Sequence, residues 1–342
     1  MTLTTALALV GVLLLLALGL HGWWQTRRAR PRKTVAEPAT PERVEPALGA
    51  AELPASPLEP AALRVPPRRV PRLDALIDAI VPLALEAPIS AELALSHLPP
   101  SRRAGSKPFY IEGLDTESGQ WEPFSPGHRY GELQAGVQLA SRSGALNEIE
   151  YSEFVQKVEA FAEAVGASAD VPDMLEVVAR SRELDGLASP LDAQLTITLR
   201  SNGVAWSVGY VQQAAARLGF VTGPVPGRMV LPAAEEGAPP MLVLSVDPQA
   251  ALAEEPQAAA VRECVLVLDV PQTAESAEPF PAFHRTATAL ADDLDATPID
   301  DQGQPITLHA YAAIGNELQL LYRQLEALDL AAGSAAARRL FN

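Results

Sequence analysis

The chain has 342 residues, 48% of them hydrophobic and 20% charged, which is room for about two domains of ordinary size. Of its 26 Lys and Arg, 10 precede Leu73, and of its 42 Asp and Glu, 5 do, so the remainder carries 16 against 37, a net of −21. A surface that negative repels phosphate backbones and excludes nucleic acid as a partner. The only cysteine, Cys264, excludes an internal disulfide and reads as a buried thiol within an apolar run.

The first element is a predicted membrane anchor, residues 1–26. Leu3 to Trp24 carries no charged side chain, and about 20 apolar residues at 1.5 Å rise each cross a hydrocarbon core of about 30 Å. Trp23 and Trp24 stand where an interfacial aromatic belt falls, and Arg27, Arg28, Arg30, Arg32 and Lys33 follow. No basic residue precedes the apolar run, unlike a secretory signal, so the positive-inside rule sets the N-terminus in the periplasm and the rest in the cytoplasm. An export signal and a buried core helix are the other readings. Residues 27–72 then form a basic stretch followed by a Pro/Ala-rich linker with almost no aromatic or β-branched side chain. Such a segment buries too little apolar surface to offset its ordering entropy and is expected to be a disordered tether.

Two stretches with the same order of elements follow, 73–190 and 191–332, before a tail at 333–342. The first predicts strand Leu76–Leu85, helix Ser90–Leu98, strands Phe109–Leu114, Gln120–Phe124 and Leu133–Leu139, and helices Ser152–Val165 and Val171–Leu187. The second predicts strand Ala193–Leu199, helix Trp206–Leu218, strands Arg228–Leu231, Met241–Val246 and Cys264–Val270, and helices Pro281–Leu294 and Thr307–Leu328. Phe154, Val158, Phe161 and Val165 recur as Phe283, Ala287, Leu290 and Leu294, one helical stripe at a constant offset. The expected fold class is α+β: antiparallel sheets with helices packed on one face, split β-α-β-like, in two repeats.

The other face of each sheet is then open, and its residues should be polar. Leu133 to Leu139 alternates as required, with Gln134, Gly136 and Gln138 outward. Cys264 to Val270 does not alternate: with Cys264, Leu266, Leu268 and Val270 inward, Val265 and Val267 project outward. Met229, Leu231, Met241 and Val243 invite the same reading on neighbouring strands. An uncovered apolar patch marks a partner site; burial of this face against the other half, or coverage on both sides, is the alternative.

At these residues the C-terminal stretch resembles the FtsZ-binding domain of the bacterial cell-division protein family ZipA. The resemblance is carried by Leu218-Gly219-Phe220-Val221-Thr222-Gly223, by Val265-Leu266-Val267-Leu268-Asp269-Val270-Pro271, and by Ala289 to Leu294 continuing through Asp300-Asp301-Gln302 and Pro305-Ile306-Thr307. It covers about residues 191–330, and the anchor, basic stop and tether match the family's layout, while 73–190 resembles it only in element order. The resemblance implies a non-enzymatic adaptor that ties FtsZ to the inner membrane at the division septum, with the FtsZ C-terminal peptide lying across the apolar sheet face. Carried over to this sequence, Val267 stands where the family has an aromatic side chain, and Val225, or else Met229, near a family methionine. Gln194 and Thr196 occupy positions that are apolar in the family.

No catalytic site, metal site or cofactor is expected. His21, His97, His128, His284 and His309 are scattered without a ligand-pair spacing, and no phosphate-binding glycine loop or triad signature occurs. The pairs Asp292-Asp293 and Asp300-Asp301 read as solvated. The rival functions are an envelope scaffold or peptide-binding protein with the same anchor but another partner, and a hydrolase using surface carboxylates. Homodimerisation stays open.

Overall fold

The structure is a computed structural model that describes residues 72–253 and 259–342. The anchor Leu3–Trp24 and nearly all of the Pro/Ala-rich linker lie outside the described residues, and among those described no helix is long and apolar enough to cross a membrane. The described chain is α+β with antiparallel sheets, and it divides into two compact units at Gly186.

The N-terminal unit runs β1 (Asp78–Leu85), α1 (Ala91–His97), β2 (Lys107–Asp115), β3 (Trp121–Glu122), β4 (Arg129–Gln138), α2 (Glu148–Val165), β5 (Ala167–Ala169) and α3 (Met174–Ala188). The main sheet path is β2–β4–β1–β5, with β3 paired to β2. Helix α2 begins at a capping box: the Asn147 side chain accepts the Glu150 N–H, and the Glu150 carboxylate accepts the Asn147 N–H. It ends at Gly166, whose φ of 72° lets the backbone turn into β5. Phe154, Val158, Phe161 and Val165 are all buried, as their spacing predicts, beneath Leu133, Ala135 and Val137 of β4.

The outer face of this sheet departs from the expected open, polar surface: Gly136 and Gln138 are buried. The cause is the segment just ahead of β1. Leu73 lies over Gly136, so close that a Cβ there would stand 2.6 Å from Leu73 Cδ2. The Arg72 N–H donates to the Glu112 carboxylate, and the Arg72 guanidinium lies 5.4 Å from the Tyr110 ring centre. The chain thus covers its own sheet where the strand pattern alone predicts solvent.

The C-terminal unit runs β6 (Gln194–Ser201), α4 (Val208–Arg217), β7 (Val221–Thr222), β8 (Arg228–Leu231), β9 (Leu242–Ser245), β10 (Glu263–Asp269), α5 (Pro279–Leu294), β11 (Ala296–Ile299), α6 (Leu308–Ala327) and α7 (Ala335–Leu340). Its main sheet has six strands, ordered β7–β8–β9–β10–β6–β11. The path β9–β10–β6–β11 has the connectivity of β2–β4–β1–β5 in the first unit. Ile197 and Leu199 of β6, Leu242 and Leu244 of β9, and Cys264, Leu266 and Leu268 of β10 share one buried cluster with residues of α4, α5 and α6. Each such aliphatic side chain contributes about 1.5–3 kcal/mol by leaving water. Trp206 is fully buried and its indole N–H donates to Leu294 O at 2.8 Å, which ties the start of α4 to the end of α5. The last ten residues, predicted to be a tail, instead include α7, whose Ala336, Ala337 and Leu340 are buried together with Phe341 just after it.

Candidate functional site

Strand register decides which side chains share the free face of the C-terminal sheet. On β10 burial alternates without a break: Cys264, Leu266 and Leu268 are buried, Val265, Val267 and Asp269 are half-buried. Across the ladder Val267 pairs with Val243 on β9 and with Thr196 on β6. Val243 pairs in turn with Val230 on β8, and Val230 with Val221 on β7. Side chains directly opposite on one face stand about 4.5–5.5 Å apart. Val221, Val230, Val243, Val267 and Thr196 therefore form one row across five strands, four valines long, on the side away from the core cluster.

A second row beside it is Arg228, Ser245, Val265, Thr198 and Ile299. Polar groups close the other flank, where Gln194 Nε2 donates to Asp269 Oδ2 at 2.9 Å. Charge follows at the far end of β10, where Arg200 Nε lies 2.7 Å from Glu263 Oε1. The arrangement is a narrow apolar band bounded by polar edges. It offers hydrophobic contact and lateral hydrogen bonding.

The sequence-predicted residues divide over this geometry. Val243, Val265 and Val267 lie on the free face. Val225 is 50% exposed in the turn between β7 and β8, beside that face rather than on it. Met229 and Leu231 are corrections. Met229 pairs with Leu244 and Leu231 with Leu242, which puts both on the core side, and Met229 is 5% exposed within the core cluster. In a four-residue strand, parity comes only from the partner's register, and that register turns Val230 outward instead. Met241 precedes β9, donates its N–H to Leu231 O at 2.9 Å, and packs half-buried against the core edge. Val230 and Val221 are the face residues that the sequence reading missed. Their signal was the pairing with Val243, which a single strand does not carry. Thr196 stands in the valine row itself and Gln194 at its polar margin, so the band ends at β6.

Other features of the unit offer no chemistry to this face. Cys264 is fully buried, and burial pushes its thiol up to about 12. A groove of about 710 Å³ lies on the helical side, lined by Phe280, Tyr311, Gly315, Leu318 and Tyr322. Burial, reinforced by the nearby Glu275, raises the Tyr322 phenol to about 12. Among the described residues, a group of three metal-ligating side chains occurs elsewhere, in the N-terminal unit.

Comparison with known proteins adds a family. Residues 248–317 match the family described as ZipA, C-terminal FtsZ-binding domain. The match spans β10, α5, β11 and the first half of α6, including Val265 and Val267, and it begins after β8 and β9. The resemblance drawn from the sequence is thereby found independently. The matched family is a binding domain, not an enzyme family. No curated protein matches the chain as a relative.

Proposed function

We propose that this chain, which carries a ZipA-type FtsZ-binding segment, is a membrane-anchored cell-division adaptor that holds the C-terminal peptide of FtsZ on the outer face of the β7–β8–β9–β10–β6–β11 sheet. The supporting observation is the row of four valines in direct register on a face that the helices of its own unit leave uncovered. A peptide crossing that row gains affinity from apolar burial, and the polar groups at its edges fix its position rather than its strength. Leu3–Trp24 serves as the inner-membrane anchor and the Pro/Ala-rich linker as the tether, so that bound FtsZ polymers are drawn to the membrane at the septum.

The N-terminal unit has the strand connectivity of the C-terminal one, which supports an internal duplication. Its own outer face is covered by Arg72 and Leu73, so one peptide site per chain is the reading. The test is co-sedimentation of the chain with FtsZ polymers, with and without the V267D substitution. Wild-type chain in the pellet and the variant in the supernatant is the expected result. Equal pelleting of both removes the valine row from the site, and wild-type chain left in the supernatant removes FtsZ as the partner.

A further inference from the structure

In the N-terminal unit three side chains from separate pieces of backbone converge at the end of β2. Asp115 closes that strand, Glu122 lies on β3 beside it, and His128 sits in the turn that leads into β4. Their spacing matches no ligand motif, which is why the sequence shows nothing there. His128 Nδ1 lies 2.9 Å from Glu122 Oε1 and 3.5 Å from Asp115 Oδ1. One ligand atom from each residue falls within 4.8 Å of the others. Tetrahedral zinc with bonds of about 2.0–2.1 Å requires ligand atoms roughly 3.3 Å apart, so two of the three separations already bracket that value.

A second observation is independent of this proximity. Asp115 is 3% exposed, and its Oδ2 accepts the Ser118 N–H at 2.8 Å, whereas its Oδ1 is buried with no hydrogen-bond donor. That orphaned oxygen is the one facing His128. A buried carboxylate oxygen without a hydrogen bond is costly, and beside a neutral His128 a cation supplies what no protein donor does here. The outer contacts suit a ligand set. The Tyr130 hydroxyl donates to Glu122 Oε1 at 3.0 Å and itself accepts the Ser125 N–H at 2.8 Å, while Ser118 holds the second oxygen of Asp115. Such contacts orient ligands before a metal arrives. The His128 side chain is 43% exposed, which leaves the remaining coordination position open to water.

We infer that Asp115 Oδ1, Glu122 Oε1 and His128 Nδ1 form a divalent-metal site that takes zinc. Two carboxylates balance the double charge, and the imidazole selects a borderline ion over magnesium or calcium, which prefer oxygen alone. The bound ion clamps the β2–β3 hairpin to the turn ahead of β4, and the site is independent of the peptide face proposed above.

The test uses the full chain and zinc chloride as the probe, in equilibrium dialysis with metal analysis alongside thermal unfolding. One zinc per chain and a raised Tm are expected for wild type, with no Tm rise from magnesium chloride. D115N and H128Q should each bind at least tenfold more weakly and lose the Tm rise. The amide oxygen of the D115N variant still accepts the Ser118 N–H, and His128 is partly exposed, so both variants keep the fold by circular dichroism. Should either unfold, E122Q is read in its place. No zinc retained by wild type, or equal retention in the variants, overturns the site.

Discussion

Replacing Val267 by Asp puts a charge at the last valine of the row, between Val243 and Thr196. In the free chain the side chain is half-buried on the sheet's uncovered face, so the carboxylate turns to water and the cost to folding stays within about 1 kcal/mol, the span of strand propensities. A peptide laid over the row removes that water. The variant then loses about 1 kcal/mol of apolar contact and must in addition desolvate an unpaired carboxylate, which together weaken binding by about 2–3 kcal/mol. That is a loss of roughly 30- to 150-fold in Kd. Isothermal titration of an FtsZ C-terminal peptide measures it, with thermal unfolding as the control for folding. The contrasting substitution is Leu266→Ala, one residue along and fully buried, which should cost about 2–5 kcal/mol of stability by leaving a cavity. Unchanged Kd in V267D, or a collapse of its Tm as large as that of L266A, would refute the assignment of faces.

Gly136→Ala should destabilise the N-terminal unit by about 1–3 kcal/mol, since its Cβ displaces Leu73; denaturant melts of the variant read this directly. Asn147→Ala removes the acceptor for the Ile149 and Glu150 N–H groups at the start of α2 and should cost about 1 kcal/mol, measured the same way. Stability should fall in alkali: burial raises Tyr130, Tyr151, Tyr322 and Cys264 to about 12, so their contribution is whole below the unfolded pKa values of about 9–10 and is lost as pH climbs through 12. Unfolding followed from pH 8 to 12 should show a decline, and Tyr322→Phe should shallow it. That substitution also deletes a buried hydroxyl with no hydrogen-bond partner, so at neutral pH it should be neutral or stabilising by about 1 kcal/mol. Cys264 should resist iodoacetamide until the chain unfolds; rapid labelling of native protein would contradict its burial.

What could be read from the sequence follows from how far each signal reaches along the chain. The stripes Phe154 to Val165 and Phe283 to Leu294 repeat over three turns, and every one of their residues is buried. Cys264 to Val270 shows no polar alternation, but once Cys264, Leu266, Leu268 and Val270 are set inward its length fixes Val265 and Val267 on the opposite face, and burial alternates in that sense. Short elements carry no such period. β5 and β11 are three and four residues long and follow left-handed turns at Gly166 and Asp295, and neither was predicted. Arg228 to Leu231 was recognised as a strand, but its faces were exchanged, because only pairing with β9 tells Met229 from Val230. The cover over the N-terminal sheet is not legible in the sequence because two side chains, Arg72 and Leu73, at the end of a Pro/Ala-rich stretch do not announce a contact with the sheet. Asp115, Glu122 and His128 come from a strand end, a two-residue strand and a turn, and only the fold brings them together.

The most direct test of the peptide face is a nuclear magnetic resonance titration of the valine-methyl-labelled chain with an FtsZ C-terminal peptide. The methyls of Val230, Val243 and Val267 should shift together and saturate, while core-side Val211 and Val270 stay in place. Shifts confined to Tyr311 and Tyr322 in a parallel tyrosine-labelled sample, with the row of valines unmoved, would transfer the site to the helical groove and contradict the account.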